Sequence, residues 1–415
     1  MRITVIEHIV RKASFGEKSG FTSGELTISK EAFRDTVLRG TVGRYNMDLH
    51  LVCPGDAVRI VHITDVIKPS YKAAGAAFPG WTGAAEGCGE GITHQIANFC
   101  VTQSFSYQGI QEGILDMDGP GAQYSIFSGK THLVMVLTLL AQNLEKADIA
   151  RDLIQINTQA AEYIGALAVC DPDGIETVYA SPDEAAELPR VGYACFIQAQ
   201  GPLRNVHILG GDCVEMKPRF LPFNMFLDGG VVSGNYIIAC QKNPTWLHQE
   251  NPVVKTSLLN NGRSISFEGV IVSTESSRLE GKRENAKRIA ELAKERRIDG
   301  LLITQEGGGH ADVDLMLTAE ACEERGIRTV VLSNEIAGEE GNLPSLTAFS
   351  DKEDAIVSTG NNDEVIHLPA VKTAVGGETI LDGAIAAAAE FNTSLGIIYA
   401  ASNQLGASRM TAQPL

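Results

Sequence analysis

The densest chemistry in the chain lies between Asp228 and Val253, where a thiol (Cys240), an ammonium (Lys242) and an imidazole (His248) stand close to Gly229, Gly230 and Gly234. Glycines permit backbone shapes that a side chain forbids. Pro244 and Pro252 fix the chain beyond them and push Asn243 and Asn251 towards extended geometry. This makes a poor helix and an interrupted strand, so it reads as an ordered loop that positions side chains. Lys242, or His248 if the loop folds back, could lower the Cys240 pKa and give a nucleophilic thiolate. The plainer reading of a cysteine after Ile237-Ile238-Ala239 is a small buried hydrophobe. Lys242 also suits a substrate carboxylate, as a point charge.

Other groupings are weaker. Cys88 and His94 sit six residues apart in a glycine-rich stretch. Glu112, Asp116 and Asp118 read as turn and solvent residues or as holders of a substrate ammonium. Phe78, Trp81, Tyr107 and Trp246 could cage a quaternary ammonium, although such rings more often pack in cores. His310, Asp312 and Asp314 are metal-ligand types, but at a helix start Asp is commonly a cap or dipole partner, and no metal is assigned. No G-x-G-x-x-G or phosphate-binding Walker loop occurs, so no nucleotide cofactor, and no cofactor of any kind, is expected.

The elements that must hold these groups fall into two styles. Residues 1 to about 70 alternate or run apolar between turns and read as strands (2–10, 24–28, 48–52 and 57–67), while 68 to about 129 reads as ordered loop. Residues 131–140 follow as a buried strand, 143–167 as a helix and 191–200 as another strand. From Ser266 onward strands at 269–273, 300–304, 329–333 and 355–358 alternate with helices at about 279–297 and 311–325. That spacing predicts parallel βαβ units. The expected class is α/β: a mixed α+β N-terminal half (1–227), a junction (228–265), and a C-terminal doubly wound, mostly parallel sheet with helices on both faces (266–415). A final helix is expected at 380–391, followed by a poorly packed end. Ligands of such sheets sit beyond the carboxyl ends of the strands. Here those ends carry Glu275, Glu306-Gly307-Gly308-Gly309-His310 and Glu335, and Gly308 could let backbone amides approach an anion.

The central stretch resembles the precursor subunit of component B of the glycine, sarcosine and betaine reductases. In that family it runs approximately G-x-x-V-S-G-N-C-x-x-A-C-x-K-N-P-T, then His and Asn-Pro. Similar Pro-Gly-Asp, Thr-His and Glu-Gly-Ile…Gly-Pro-Gly-Ala elements are spread from about residue 40 onward. The resemblance implies a subunit of a complex that cleaves a C–N bond reductively. A β-like partner carrying a cysteine or selenocysteine displaces the amine, and the carboxymethyl group passes to a small selenoprotein. Family precursors are cut between the Asn and the first Cys, leaving a carbonyl-bearing terminus. Asn235 is kept here, but Tyr236 replaces that Cys, and a phenol cannot perform the N-to-S acyl shift that begins the cleavage. An uncleaved chain is therefore expected. The candidate chemical residues are Asn235, Tyr236, Cys240 and Lys242; the candidate substrate-binding residues are His94, Glu112, Asp116, His248, Glu306 and Gly308. The partners expected are that β-like subunit and a small amine or betaine, in a hetero- or homo-oligomer. A stand-alone metal-dependent hydrolase or binding protein on the same scaffold is the alternative.

Composition narrows the field. The chain has 415 residues, enough for two or three domains, and carries a formal charge of −17. That argues against nucleic acid as the main partner. No apolar run approaches a membrane span and the N-terminus opens directly into a strand pattern, so a cytoplasmic protein without a membrane partner is expected. Eight cysteines without C-x-x-C spacing suggest a reducing compartment.

Overall fold

The computed structural model describes residues 1–106, 113–181, 187–199, 206–214, 216–234, 242–352 and 355–407. The first half supplies β1 (Arg2–Ile9), β2 (Tyr45–Val52), β3 (Val58–Ile60), β4 (Ile63–Ile67), β5 (Ser70–Tyr71), β6 (Ile92–Ala97), β7 (Phe99–Phe105), β8 (Leu115–Asp116) and β9 (Thr131–Leu139). Helix α1 (Lys146–Ala166), β10 (Ile175–Ala180), β11 (Arg190–Ile197) and β12 (Arg219–Leu221) follow. The second half adds α2 (Thr245–Gln249), α3 (Pro252–Leu259), β13 (Ser266–Thr274), α4 (Leu279–Glu295), β14 (Gly300–Thr304), α5 (His310–Glu323), β15 (Arg328–Glu335), β16 (Ala355–Asn361) and β17 (Thr373–Val375).

The class is α/β, as the sequence implies. Four sheets matter for the site: β10-β1-β6-β5, β2-β9-β7-β4, β8-β3-β17, and a six-stranded sheet ordered β12-β13-β11-β14-β15-β16. In the last, β13, β11, β14, β15 and β16 run parallel and only β12 is antiparallel. Both faces are covered because its strands are apolar on both sides, as parallel strands must be. Ala194, Phe196, Ile271 and Ile303 meet Ile289 and Ala293 of α4 and Leu315 of α5. Tyr193, Cys195, Val270 and Val272 face the opposite core, with Val254 of α3, Phe223, Phe226, Phe127 and Tyr399. Each such aliphatic side chain contributes roughly 1.5–3 kcal/mol. On α4, Ala286, Ile289, Ala290 and Ala293 recur at helical spacing and are buried.

Three departures from the expected elements have physical causes. The stretch 57–67 breaks into β3 and β4 at His62, whose φ of 53° is left-handed. The stretch 68–129, expected as loop, contains β6 and β7. Strand β7 is wholly buried although it carries Thr102, Gln103 and Ser104, because each finds a partner: Thr102 Oγ1 lies 2.7 Å from His132 Nδ1, Gln103 Nε2 donates to Leu153 O, and Ser104 Oγ donates to Val61 O. The third departure is the expected helix at 380–391, which is absent. Thr379–Ile380 and Ile385–Ala386 form a small hairpin around Leu381, Asp382 and Gly383, all with positive φ. Beyond it the described tail is not loosely packed: Leu395, Ile397, Ile398 and Tyr399 are buried.

Arg59 pins the stretch that stands in place of the expected helix. Its fully buried guanidinium uses all five N–H groups. Nε and Nη2 grip Asp116 at 2.6 and 3.0 Å, Nη1 donates to Ala387 O and Ala389 O, and Nη2 donates to Pro369 O. Removing one member of a buried ion pair leaves a bare charge, which costs about 3–5 kcal/mol. Asp116→Ala is therefore expected to lower unfolding free energy by about that amount, measured by denaturant titration; a loss below about 1 kcal/mol would contradict the pinning role.

Candidate functional site

Strand β11 lies between β13 and β14, and the chain leaves β13 by crossing over β11 to reach β14. The strand order therefore switches direction here, and the carboxyl ends form the crevice where ligands of open α/β sheets bind. Those ends carry Gln198, Glu275 and Glu306, all buried. The Glu306 carboxylate accepts the Gln198 N–H through Oε2 and the Asn243 N–H through Oε1, both at 2.8 Å. His248 Nε2 stands 3.5 Å from Glu306 Oε1, and its ring meets Phe226 edge-on. His248 is fully buried, yet neither ring nitrogen makes a hydrogen bond; both side-chain amide atoms of the buried Asn243 are likewise without partners. Buried polar atoms left in this state cost about 1–3 kcal/mol each, so they mark a place for a polar guest or ordered water. Lys242, also buried, lines a narrow crevice with the tail residues Gly396, Ile398, Ala400, Ala401, Ser402 and Asn403.

The charge around this edge is unusual. Burial, then the adjacent Asp314 and Glu306 carboxylates, push Glu275 well above the ordinary carboxyl range. Burial raises Asp314 to about 6, against the pull of its ion pair with Lys282. His310 Nδ1 lies 3.1 Å from the same Lys282 ammonium. Asp312 points elsewhere, accepting from Gln305 Nε2 and Thr347 N at 2.7 Å. Among the described residues, no three His, Cys, Asp or Glu side chains are grouped to hold a metal ion. Gly307 and Gly309 have positive φ in the turn before α5, and a Cβ on Gly308 would strike Ile336 at 2.4 Å. The glycines thus let the turn fit under Ile336, and Gln404 closes it from the tail by donating to Gly307 O.

Two further carboxylates fix the base of the junction. Asp65 on β4 accepts the Thr245 N–H at 2.9 Å, and its other oxygen meets Thr245 Oγ1 at 2.7 Å and Asn157 Nδ2 at 2.8 Å. Thr245 Oγ1 also bonds Ser233 O, and the Ser233 N–H donates back to it at 3.0 Å. Asp228 pairs with Lys72 and accepts from Gly89 N at 2.7 Å and Thr93 Oγ1 at 2.5 Å. Ser233 and Thr245, on either side of residues 235–241, are thereby tied together.

Of the residues singled out in the sequence, Lys242, His248, Glu306 and Gly308 lie around this sheet edge. Asp116 is consumed by Arg59, and His94 lies on another sheet, bonded to His8. Asn235, Tyr236, Cys240 and Glu112 fall outside the described residues. Cys88 does not pair with His94: its thiol faces Met225 O at 3.8 Å, and burial pushes it up to about 12. The aromatics do not form a cage. Trp81 packs on His207, Trp246 on Phe127 under Lys130, and Phe78 is buried in the first-half core; Tyr107 is outside the described residues. Sequence reading missed Asp65, Asn243, Lys72 and Lys282. Asp65 had left a signal, a lone acid in the apolar strand Ile63–Ile67.

The scaffold is thus an open α/β sheet with a polar cluster at its carboxyl edge, closed by the chain's own tail. Comparison narrows the class. The family model for glycine/sarcosine/betaine reductase component B subunits matches residues 1–413, and the chain belongs to that family. It is 31% identical over 430 residues to the glycine reductase complex component B subunits alpha and beta of Acetoanaerobium sticklandii, covering all of both chains. It is 30% identical over 428 residues to the sarcosine reductase complex component B subunit alpha of Peptoclostridium acidaminophilum, again over the full length of both. The betaine reductase complex component B subunit alpha of that organism is 32% identical across 91% of this chain and 88% of its own length. No solved structure matches the chain.

Burial dominates at Asp65 and raises it to about 7 despite its hydrogen bonds. The unfolded chain releases this proton near pH 4, so between about pH 4 and 7 the folded state binds more protons and stability falls as pH rises. The fall attributable to Asp65 is about 1.4 kcal/mol per pH unit. Asp65→Asn is expected to flatten that part of the stability–pH profile, read by denaturant unfolding at a series of pH values; an unaltered slope would refute the assignment.

Proposed function

We propose that this chain is the substrate-binding subunit of a component-B-type reductase that cleaves the C–N bond of a small amino acid or betaine, and that it works as one uncut polypeptide. The carrying observation is Tyr236, which puts a ring hydroxyl where family precursors have the cysteine that starts backbone scission. The unpartnered amide of Asn243 and imidazole of His248, beside Glu306, support binding of a small polar guest at the sheet edge. Lys242, a buried cation on the adjoining crevice, supplies the charge that a substrate carboxylate requires. In this reading a thiolate or selenolate on a β-like partner attacks the carbon bearing the amine. A sulfur–carbon or selenium–carbon bond forms as the C–N bond breaks, and the departing nitrogen keeps the electron pair and takes a proton. Electrons that later free the carboxymethyl group come from other components of the complex. Asn243 and Glu306 keep the loop beyond residue 241 against the sheet edge, so the binding groups stay together without a cut at Asn235.

Two measurements test the reading. Intact-mass analysis of the purified chain is expected to give a single species of 44.4 kDa; a fragment beginning at residue 236 would overturn it. Lys242→Met is expected to weaken binding of a carboxylate substrate roughly ten- to hundredfold, the value of one charge-assisted contact, as read by calorimetry. Unchanged affinity would remove Lys242 from the site.

A further inference from the structure

The tail changes its mode of attachment at one residue. Up to Tyr399 its backbone is tied to other elements: the Leu395 and Gly396 N–H groups donate to Glu364 O and Asn362 O, Ile397 O accepts the Ile114 N–H, and the Tyr399 N–H donates to Ile114 O at 2.8 Å. Among the described residues, the backbone hydrogen bonds beyond Tyr399 are internal. The Ala401 N–H donates to Ile398 O and the Gly406 N–H to Asn403 O. The Asn403 side chain holds the rest of the turn, accepting the Leu405 and Ala407 N–H groups through Oδ1 at 3.1 and 3.2 Å and donating through Nδ2 to Ala400 O at 3.1 Å. Residues 400–407 thus form a loop that keeps its own shape. At its root Ala400 takes a φ of 61°, in the left-handed region that a residue with a Cβ seldom adopts.

What the loop covers is the sheet-edge site. Residues 400–403 line the narrow crevice together with Lys242. Gln404 Nε2 donates to Gly307 O and to Asn334 Oδ1, both at 3.1 Å, and Ser402 Oγ donates to Asn362 Oδ1. Gly307 directly follows Glu306, the carboxylate beside His248. The polar grip on the sheet is therefore made by side chains, at the carboxyl ends of β14, β15 and β16. Leu405 is the one large apolar side chain in 400–407. A segment with so few outward bonds opens far more readily than the core strands beneath it. His248 and Asn243 are buried with hydrogen-bonding capacity unspent, so a guest reaches them only when a cover moves aside.

We propose that residues 400–407 are a hinged cap over this site, swinging about Ala400 as one piece and admitting the guest when the Gln404 and Ser402 bonds part. The guest's part in this rests on the function proposed above; the hinge does not. Asn403 keeps the shape of the open cap, and the backbone ties of residues 395–399 hold the rest of the tail in place. Closing restores the Gln404 bond to Gly307 O, next to the carboxylate that His248 faces. Enclosure of the guest and completion of the site therefore come together.

The test reads opening directly. In the full chain, diethyl pyrocarbonate modification of His248, followed by peptide mass spectrometry, is expected to run roughly tenfold faster in Gln404→Ala/Ser402→Ala than in the unaltered chain, the weight of one to two neutral hydrogen bonds. The single variant Gln404→Ala is expected to show the same pattern at roughly two- to fivefold. His8, equally buried but on the β10-β1-β6-β5 sheet, is the control for general loosening and is expected to keep its rate. An unchanged rate at His248, or equal acceleration of both histidines, would overturn the cap. Failure of glycine, sarcosine and betaine to slow the His248 reaction would instead fault the proposed function and leave the cap standing.

Discussion

A buried carboxylate is expensive unless hydrogen bonds replace its water, and around the junction three such acids accept backbone N–H groups from distant segments. Asp65 receives Thr245, Asp228 receives Gly89, and Glu306 receives both Gln198 and Asn243. Each contact fastens a loop whose own residues are too rich in glycine and proline to hold a shape alone. The junction from Asp228 to Thr245 is accordingly fixed at its start by its own Asp228 and at its end by Asp65 and Glu306, acids of other elements. Burial raises both acids: Asp228 despite its lysine partner, and Asp65, which has only neutral donors, to about 7.

The same device creates the sheet-edge site. Glu306 can serve as an anchor because it extends from the end of β14 at the point where the strand order reverses. Its anchored partner, Asn243, contributes only its backbone. The Asn243 side chain and the His248 ring are consequently left buried with bonding capacity to spare. The tail completes the enclosure through Gln404 and through Ser125, whose hydroxyl donates to Tyr399 O.

The parallel half was legible because its signals are local: apolar runs such as Gly300–Thr304, helices with a 3.6-residue stripe such as α4, and Gly326 (φ +74°) turning the chain after α5. The family resemblance was legible for a different reason, since it rests on residue types spread along the chain. What escaped depends on contacts far apart in sequence. Strand β7 hides behind Thr102, Gln103 and Ser104, whose partners lie on other elements. The alanine-rich stretch 384–389 has helical propensity, yet the left-handed turn at Leu381, Asp382 and Gly383 folds it into a hairpin, and Arg59, more than 300 positions earlier, holds the Ala387 and Ala389 carbonyls. Of the site, Lys242, His248 and Glu306 stood out by chemical type. The pairing of His94 with His8 joins separate segments, and nothing in their spacing announces it.

The sheet formed by β8, β3 and β17 has a consequence for synthesis. Its central strand pairs Val58 with Thr373, so the sheet cannot close until the ribosome has delivered almost the whole chain. Until residue 389 emerges, Arg59 lacks at least one of the three carbonyl acceptors that accompany Asp116. The N-terminal half therefore cannot mature ahead of the C-terminal half, as independent domains do during translation. A nascent chain halted before the tail would hold an unsated guanidinium and an open strand edge, features that chaperones and proteases recognise.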